Sequence, residues 1–61
     1  MADKASKQKY HEFYIDEMNS ATIYDALAQT AKDERIAEVY RRMAEVERKH
    51  ARKWESLYCE D

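Results

Sequence analysis

The stretch Ala44-Glu45-Val46-Glu47-Arg48-Lys49-His50-Ala51, read together with Glu17 far upstream, decides the fold. Glu47 and His50 are three residues apart, so on a helix a carboxylate and an imidazole share one face and reach one point in space. That is metal-ligand spacing. Such a Glu-x-x-His pair also occurs on many solvated helices, so its meaning depends on the seam in which it sits.

Outward from the pair, Ile36, Tyr40, Met43, Glu47, His50, Trp54 and Leu57 follow one another at steps of four and three. This is the period of an α-helix with one face turned to a partner, and Glu47 and His50 lie inside that face. The opposite face holds Glu38, Arg41, Arg42, Glu45, Lys49, Arg52 and Lys53. With the i,i+4 pairs Glu38 and Arg42, Glu45 and Lys49, it reads as a solvated surface and not as a nucleic-acid surface.

Upstream, Tyr10, Phe13, Glu17, Ser20, Tyr24, Leu27 and Ala31 repeat the alternation, with Glu17 in the seam. Extending this seam past Ala31 would bury Glu34, Glu38 and Arg41, whereas the apolar face restarts at Ile36. The phase breaks there. Asp33 is a suitable N-cap, and Glu34 favours the first turn of a new helix. With no Gly and no Pro anywhere, the sequence predicts an all-α antiparallel hairpin. Its first helix covers about residues 5–31, its turn about 31–33 and its second helix about 34–58. The polar lead-in has Asp3 or Ser6 to cap it.

Composition limits what such a hairpin does alone. Sixty-one residues make one small domain, and Leu, Ile, Val and Phe together number eight. Chains below about 70 residues seldom hold a core without a disulfide, a metal or a partner chain. Eleven basic against 13 acidic residues give a net charge of -2, which fits neither a disordered polyelectrolyte nor a nucleic-acid or anionic-membrane binder. The single Cys59 excludes an internal disulfide and a thiolate zinc site. A reducing compartment is expected, and in the absence of a long apolar run or a signal-like N-terminus, a cytoplasmic location.

Folding the hairpin about Lys32 sets residues whose numbers sum to about 64 at one height. Glu17 then lies level with Glu47, and Tyr14 with His50. Three ligand-type side chains converge, with Tyr24, Leu27, Ile36 and Tyr40 toward the turn and Tyr10, Phe13 and Trp54 toward the ends. Burying two carboxylates and an imidazole costs several kcal/mol unless a positive charge compensates, and nothing basic falls in either seam. One polar residue would suit a register device, but three metal-ligand types at one level point to a cation.

One hairpin supplies too few ligands and too little core; two related by a two-fold axis supply both. The expected homodimer, or a higher homo-oligomer, is a four-helix bundle with Glu17, Glu47 and His50 of each chain pointing inward. This matches the di-iron carboxylate arrangement, in which two helices each give a Glu and two each give Glu-x-x-His. Carboxylates with one imidazole per metal suit iron, two per dimer, or manganese; zinc or cobalt would also occupy these ligands.

The residues Glu17-x-x-x-Ala21-x-x-Tyr24-x-x-Leu27-Ala28 and Ala44-x-x-Glu47-x-x-His50-Ala51 resemble one half of a rubrerythrin-like, ferritin-superfamily bundle. The chain departs from a rubrerythrin in having one such half and no four-cysteine module. It is similar to the encapsulated ferritins, half-length chains that build their bundle by dimerising. It is also similar to the ferritin-like hairpin preceding the membrane domain of some bacterial vacuolar-iron-transporter-family proteins. The ending His50 to Leu57 looks more like the latter, which implies a covalently attached transporter domain. The resemblance further implies that Glu47 of each chain bridges two irons about 3.5–4 Å apart, with Glu17 and His50 completing each. Ferroxidase-type or peroxide-reducing chemistry, with dioxygen or peroxide as co-substrate, is what the resemblance implies for activity. Two other classes fit the same residues: a non-catalytic Fe(II)/Mn(II) sensor or delivery domain, and a metal-free dimerisation hairpin.

Overall fold

The computed structural model describes residues 3–59 as two helices, α1 (Lys4–Thr30) and α2 (Glu34–Tyr58), joined through Ala31, Lys32 and Asp33. Both helix starts are closed by an aspartate. Asp3 accepts a hydrogen bond from the Ser6 amide and Asp33 one from the Arg35 amide, each at 2.8 Å. Each cap satisfies an amide that the first helical turn leaves without a partner. The phase break after Ala31 is therefore a real turn, within a residue of where the seam predicts it. No residue there takes a positive φ, so the turn closes without glycine.

The two helices pack side by side along their length in a body of 46 × 13 × 10 Å. Their contact is a double heptad. Tyr10, Glu17 and Tyr24 recur every seventh residue on α1, and Tyr40, Glu47 and Trp54 do so on α2. Between them fall Ala21 and Ala28 on α1 and Ala37, Ala44 and Ala51 on α2, and these five alanines are the buried core of the described residues. Alanine leaves little side chain between the helix axes, so the backbones approach closely and the larger residues stack in layers above and below. Tyr10 stacks on Trp54 with ring centroids 5.7 Å apart, and Tyr24 on Tyr40 at 6.3 Å. Both pairs sum to 64, so the register about Lys32 holds.

The sequence pattern placed Phe13, Leu27, Ile36 and Met43 in the bundle seam. Within one hairpin they lie at the margin of the helix contact and stay exposed, Ile36 by as much as 51%, although Phe13 meets Trp54 across it. The seam drawn from large residues alone sits rotated toward the open face, because the alanines that make the contact carry too little hydrophobicity to mark it. The result is one layer of structure with an uncovered apolar face. Stable domains bury such a face against a second layer.

The charged face of α2 is solvated; of its two expected i,i+4 pairs Glu38–Arg42 forms, whereas Glu45 meets Arg48 and Arg52 in place of Lys49. Arg41 bridges Glu34 and Glu38, and Arg42 also reaches Glu38. Hydrogen bonds from Arg41 and then Arg42 hold the Glu38 carboxyl below its ordinary range. The stabilisation from this is present above the ordinary glutamate range and fades as pH falls through the lowered value. On so exposed a surface it is small. Among the described residues no helix is long and apolar enough to cross a membrane.

Candidate metal centre

Glu17 and Glu47 occupy the middle layer of the double heptad, between the Tyr10–Trp54 and Tyr24–Tyr40 layers. The heptad points both carboxylates inward, and their side chains are only 24% and 23% exposed. His50, one turn after Glu47, stands on the open-face side of the layer with its side chain 55% exposed. Its Nδ1 lies 3.4 Å from Glu17 Oε2 and 3.3 Å from Glu47 Oε1. The three residues singled out in the sequence thus meet at one point, with one ligand atom of each within 4.8 Å of the others.

These separations suit a cation. Around a metal with bonds of about 2.1 Å, adjacent ligand atoms lie about 3 Å apart and opposed ones about 4.2 Å. A second observation bears on fit: Glu17 Oε2 is buried and has no hydrogen-bond partner. Its approach to His50 Nδ1 is close in distance but lacks hydrogen-bond geometry. A buried carboxylate oxygen without a partner costs about 1–3 kcal/mol or more, and a bound cation removes that cost. No guanidinium does so instead. Arg48, adjacent in sequence to Glu47, turns to the other side of the hairpin, where Nη1 holds Asp25 at 2.9 Å and Nη2 reaches Glu45 at 3.3 Å.

The layers around the site are aromatic. Trp54 packs on Tyr10 and, at 4.9 Å, on Phe13. Tyr14, level with His50 by count, is committed elsewhere: its ring lies against His11 at 6.5 Å and Tyr58 at 5.8 Å. Among the described residues its hydroxyl makes no hydrogen bond to His50 or to either carboxylate. Tyr14 is a packing residue here. His11 is exposed, as its place off the seam implies, and Cys59 is an exposed free thiol that closes the end of α2 through its amide.

The sequence pattern did not reveal the Asp25–Arg48 pair. By count the two lie more than two turns apart in height. Each side chain, however, leans toward the N-terminus of its own helix, and in antiparallel helices that brings them together.

Two antiparallel helices with an inward Glu on the first and Glu-x-x-His on the second are half of a ferritin-like carboxylate bundle. A family model described as rubrerythrin matches residues 4–60, nearly the whole chain, and the chain belongs to the rubrerythrin family. That family usually binds iron, in keeping with the donor set found here. Compared with the curated proteins and with the solved structures, the chain finds no match in either.

Proposed function

We propose that two copies of this chain share a di-iron carboxylate site formed by Glu17, Glu47 and His50 of each, and that the site takes up Fe(II) and oxidises it. The observation that carries this reading is the convergence of the three side chains around a buried, unpartnered Glu17 oxygen. Three donors leave an iron coordination sphere incomplete, and the open face on which His50 stands is where a second copy would supply the rest.

The uncovered surface supports pairing. A folded monomer of 7.3 kDa has an accessible area of about 4,200 Å² by the usual scaling with mass, whereas this hairpin exposes 4790 Å². The excess, about 600 Å², approaches the ~800 Å² that each partner buries in a stable interface. Ile36, Val39, Met43, Val46, Leu27 and Phe13 contribute to it.

In this reading the carboxylates of Glu17 and Glu47 balance the charge of the metal, and His50 is a terminal donor through Nδ1. The aromatic layers on either side keep bulk water from the ligands. Fe(II) is the substrate: two ions give one electron each to a dioxygen, which takes two protons from solvent and leaves as hydrogen peroxide, and the iron leaves as Fe(III).

Oxygen consumption on adding Fe(II) to the metal-free protein tests the catalytic half of the proposal. Uptake of dioxygen coupled to loss of Fe(II), well above the rate in buffer, is expected. Fe(II) that binds tightly without oxygen uptake would leave a metal-binding or delivery domain instead.

A further inference from the structure

Two arginines of α2 each hold two carboxylates, but in different directions. Arg41 binds Glu34 and Glu38, both on its own helix. Arg48 binds Glu45 on its own helix at 3.3 Å and, through Nη1, Asp25 of α1 at 2.9 Å. Among the described residues the Asp25–Arg48 contact is the only hydrogen bond that joins the two helices, and it is partly buried where the other arginine contacts are exposed.

The pair stands beside the ligand layer, on the opposite side of the alanine stripe. Successive helical residues are turned by about 100°, and Arg48 follows Glu47 directly, as Asp25 follows Tyr24, the residue one heptad beyond Glu17. Ala44 lies three residues before Glu47 and four before Arg48; Ala21 lies four after Glu17 and four before Asp25. The ligand carboxylates thus face one side of the stripe and the ion pair the other. By count Arg48 is level with Asp16, beside Glu17, whereas Asp25 is level with Val39, beside Tyr40. The bond therefore runs diagonally, from the ligand layer to the next layer toward the turn.

In the metal-free hairpin Glu17 and Glu47 are only 24% and 23% exposed and share one height, so their charges repel. The repulsion is relieved if α2 slides along α1 or rolls on it. The alanines resist neither movement well, since a methyl group every seventh residue interlocks little. On the open side Glu47 borders a groove of about 300 Å³ lined by Tyr24, Val39, Arg42, Met43 and Val46, which leaves α2 room to roll. A diagonal bond resists both: sliding lengthens it along the helix axis, and rolling lengthens it across.

We propose that Asp25 and Arg48 are a positioning pair for the metal site, fixing the slide and roll of α2 so that Glu17 and Glu47 stand at one height before a cation binds. The proposal rests on the metal reading of the preceding section and adds two residues that touch neither the metal nor its ligands. The Coulombic gain of a pair still a third or more exposed is small, so its effect lies in the geometry it holds.

Anaerobic titration of the full chain with Co(II), whose absorption reports its ligands, tests this. Arg48→Ala is expected to shift the absorption bands and to lower Co(II) affinity about tenfold, the lower end of what loss of a residue supporting a ligand costs. Arg41→Ala, which removes a comparable set of contacts within α2 alone, is expected to change neither. Exchanging the charges, Asp25→Arg with Arg48→Asp, restores the tie and is expected to bring affinity and bands back to those of the parent. An Arg48→Ala protein that melts lower yet binds Co(II) with unchanged affinity and bands would make the pair merely structural and overturn the proposal. So would an exchanged protein that binds no better than Arg48→Ala. A parent that takes up no Co(II) would remove the metal reading itself, and this proposal with it.

Discussion

Glu47→Ala is expected to lower the affinity for divalent metal by more than 100-fold, whereas Glu45→Ala, two residues away on the solvated face, leaves it unchanged. Losing a residue that merely supports a ligand already costs about 10–100-fold. In the proposed site Glu47 is itself a donor, it lies level with Glu17, and in a shared site its loss is felt twice. Anaerobic titration with Co(II), whose absorption reports its ligands, measures the effect. Glu47→Leu gives the complementary reading. It too removes metal binding, yet it relieves the repulsion between carboxylates at one level and fills the layer with apolar volume. The metal-free Glu47→Leu protein is therefore expected to melt several degrees higher than the metal-free parent. Retention of metal by either variant would remove Glu47 from the site.

Ala44→Leu is expected to have the largest effect on stability. Ala44 is 0% exposed and lies level with Ala21, itself 2% exposed, one turn from Glu47. Three added carbons have no void to enter, and overpacking of this kind costs about 1–3 kcal/mol. In a domain this small each kcal/mol lowers the melting temperature by about 4–8 °C. The helices must also separate beside the ligand layer, so metal binding weakens although no ligand is touched. Ala26→Leu, on an exposed position of α1, is the control and should change neither. A melting temperature and metal affinity unchanged by Ala44→Leu would mean that the helices do not meet through the alanine stripe.

The hairpin and the meeting of Glu17, Glu47 and His50 were legible in the sequence because they rest on counting. A phase break between Ala31 and Ile36 forces a turn, and antiparallel helices then pair residues of constant sum, which sets Glu17 against Glu47. The helix contact was less legible. Ala21, Ala28, Ala37, Ala44 and Ala51 mark it by being small, and a pattern drawn through Phe13, Leu27, Ile36 and Met43 follows the large side chains onto the neighbouring face. That displacement is informative. The large residues trace the face that a single hairpin leaves open, and the alanines trace the one it closes. Tyr14 illustrates a different limit: equal height with His50 does not fix the direction of a ring, and packing against His11 and Tyr58 decides it. The groove beside Glu47 depends on side-chain shape over two turns and leaves no signature in spacing.

Native mass spectrometry shows most directly whether one metal site is completed by two chains. Metal-free protein would be measured before and after anaerobic addition of Fe(II), counting chains and metals in each species. Two chains holding two irons, with both irons lost in Glu47→Ala, is the predicted result. A dimer that stays free of metal, or a monomer that binds iron alone, would contradict it.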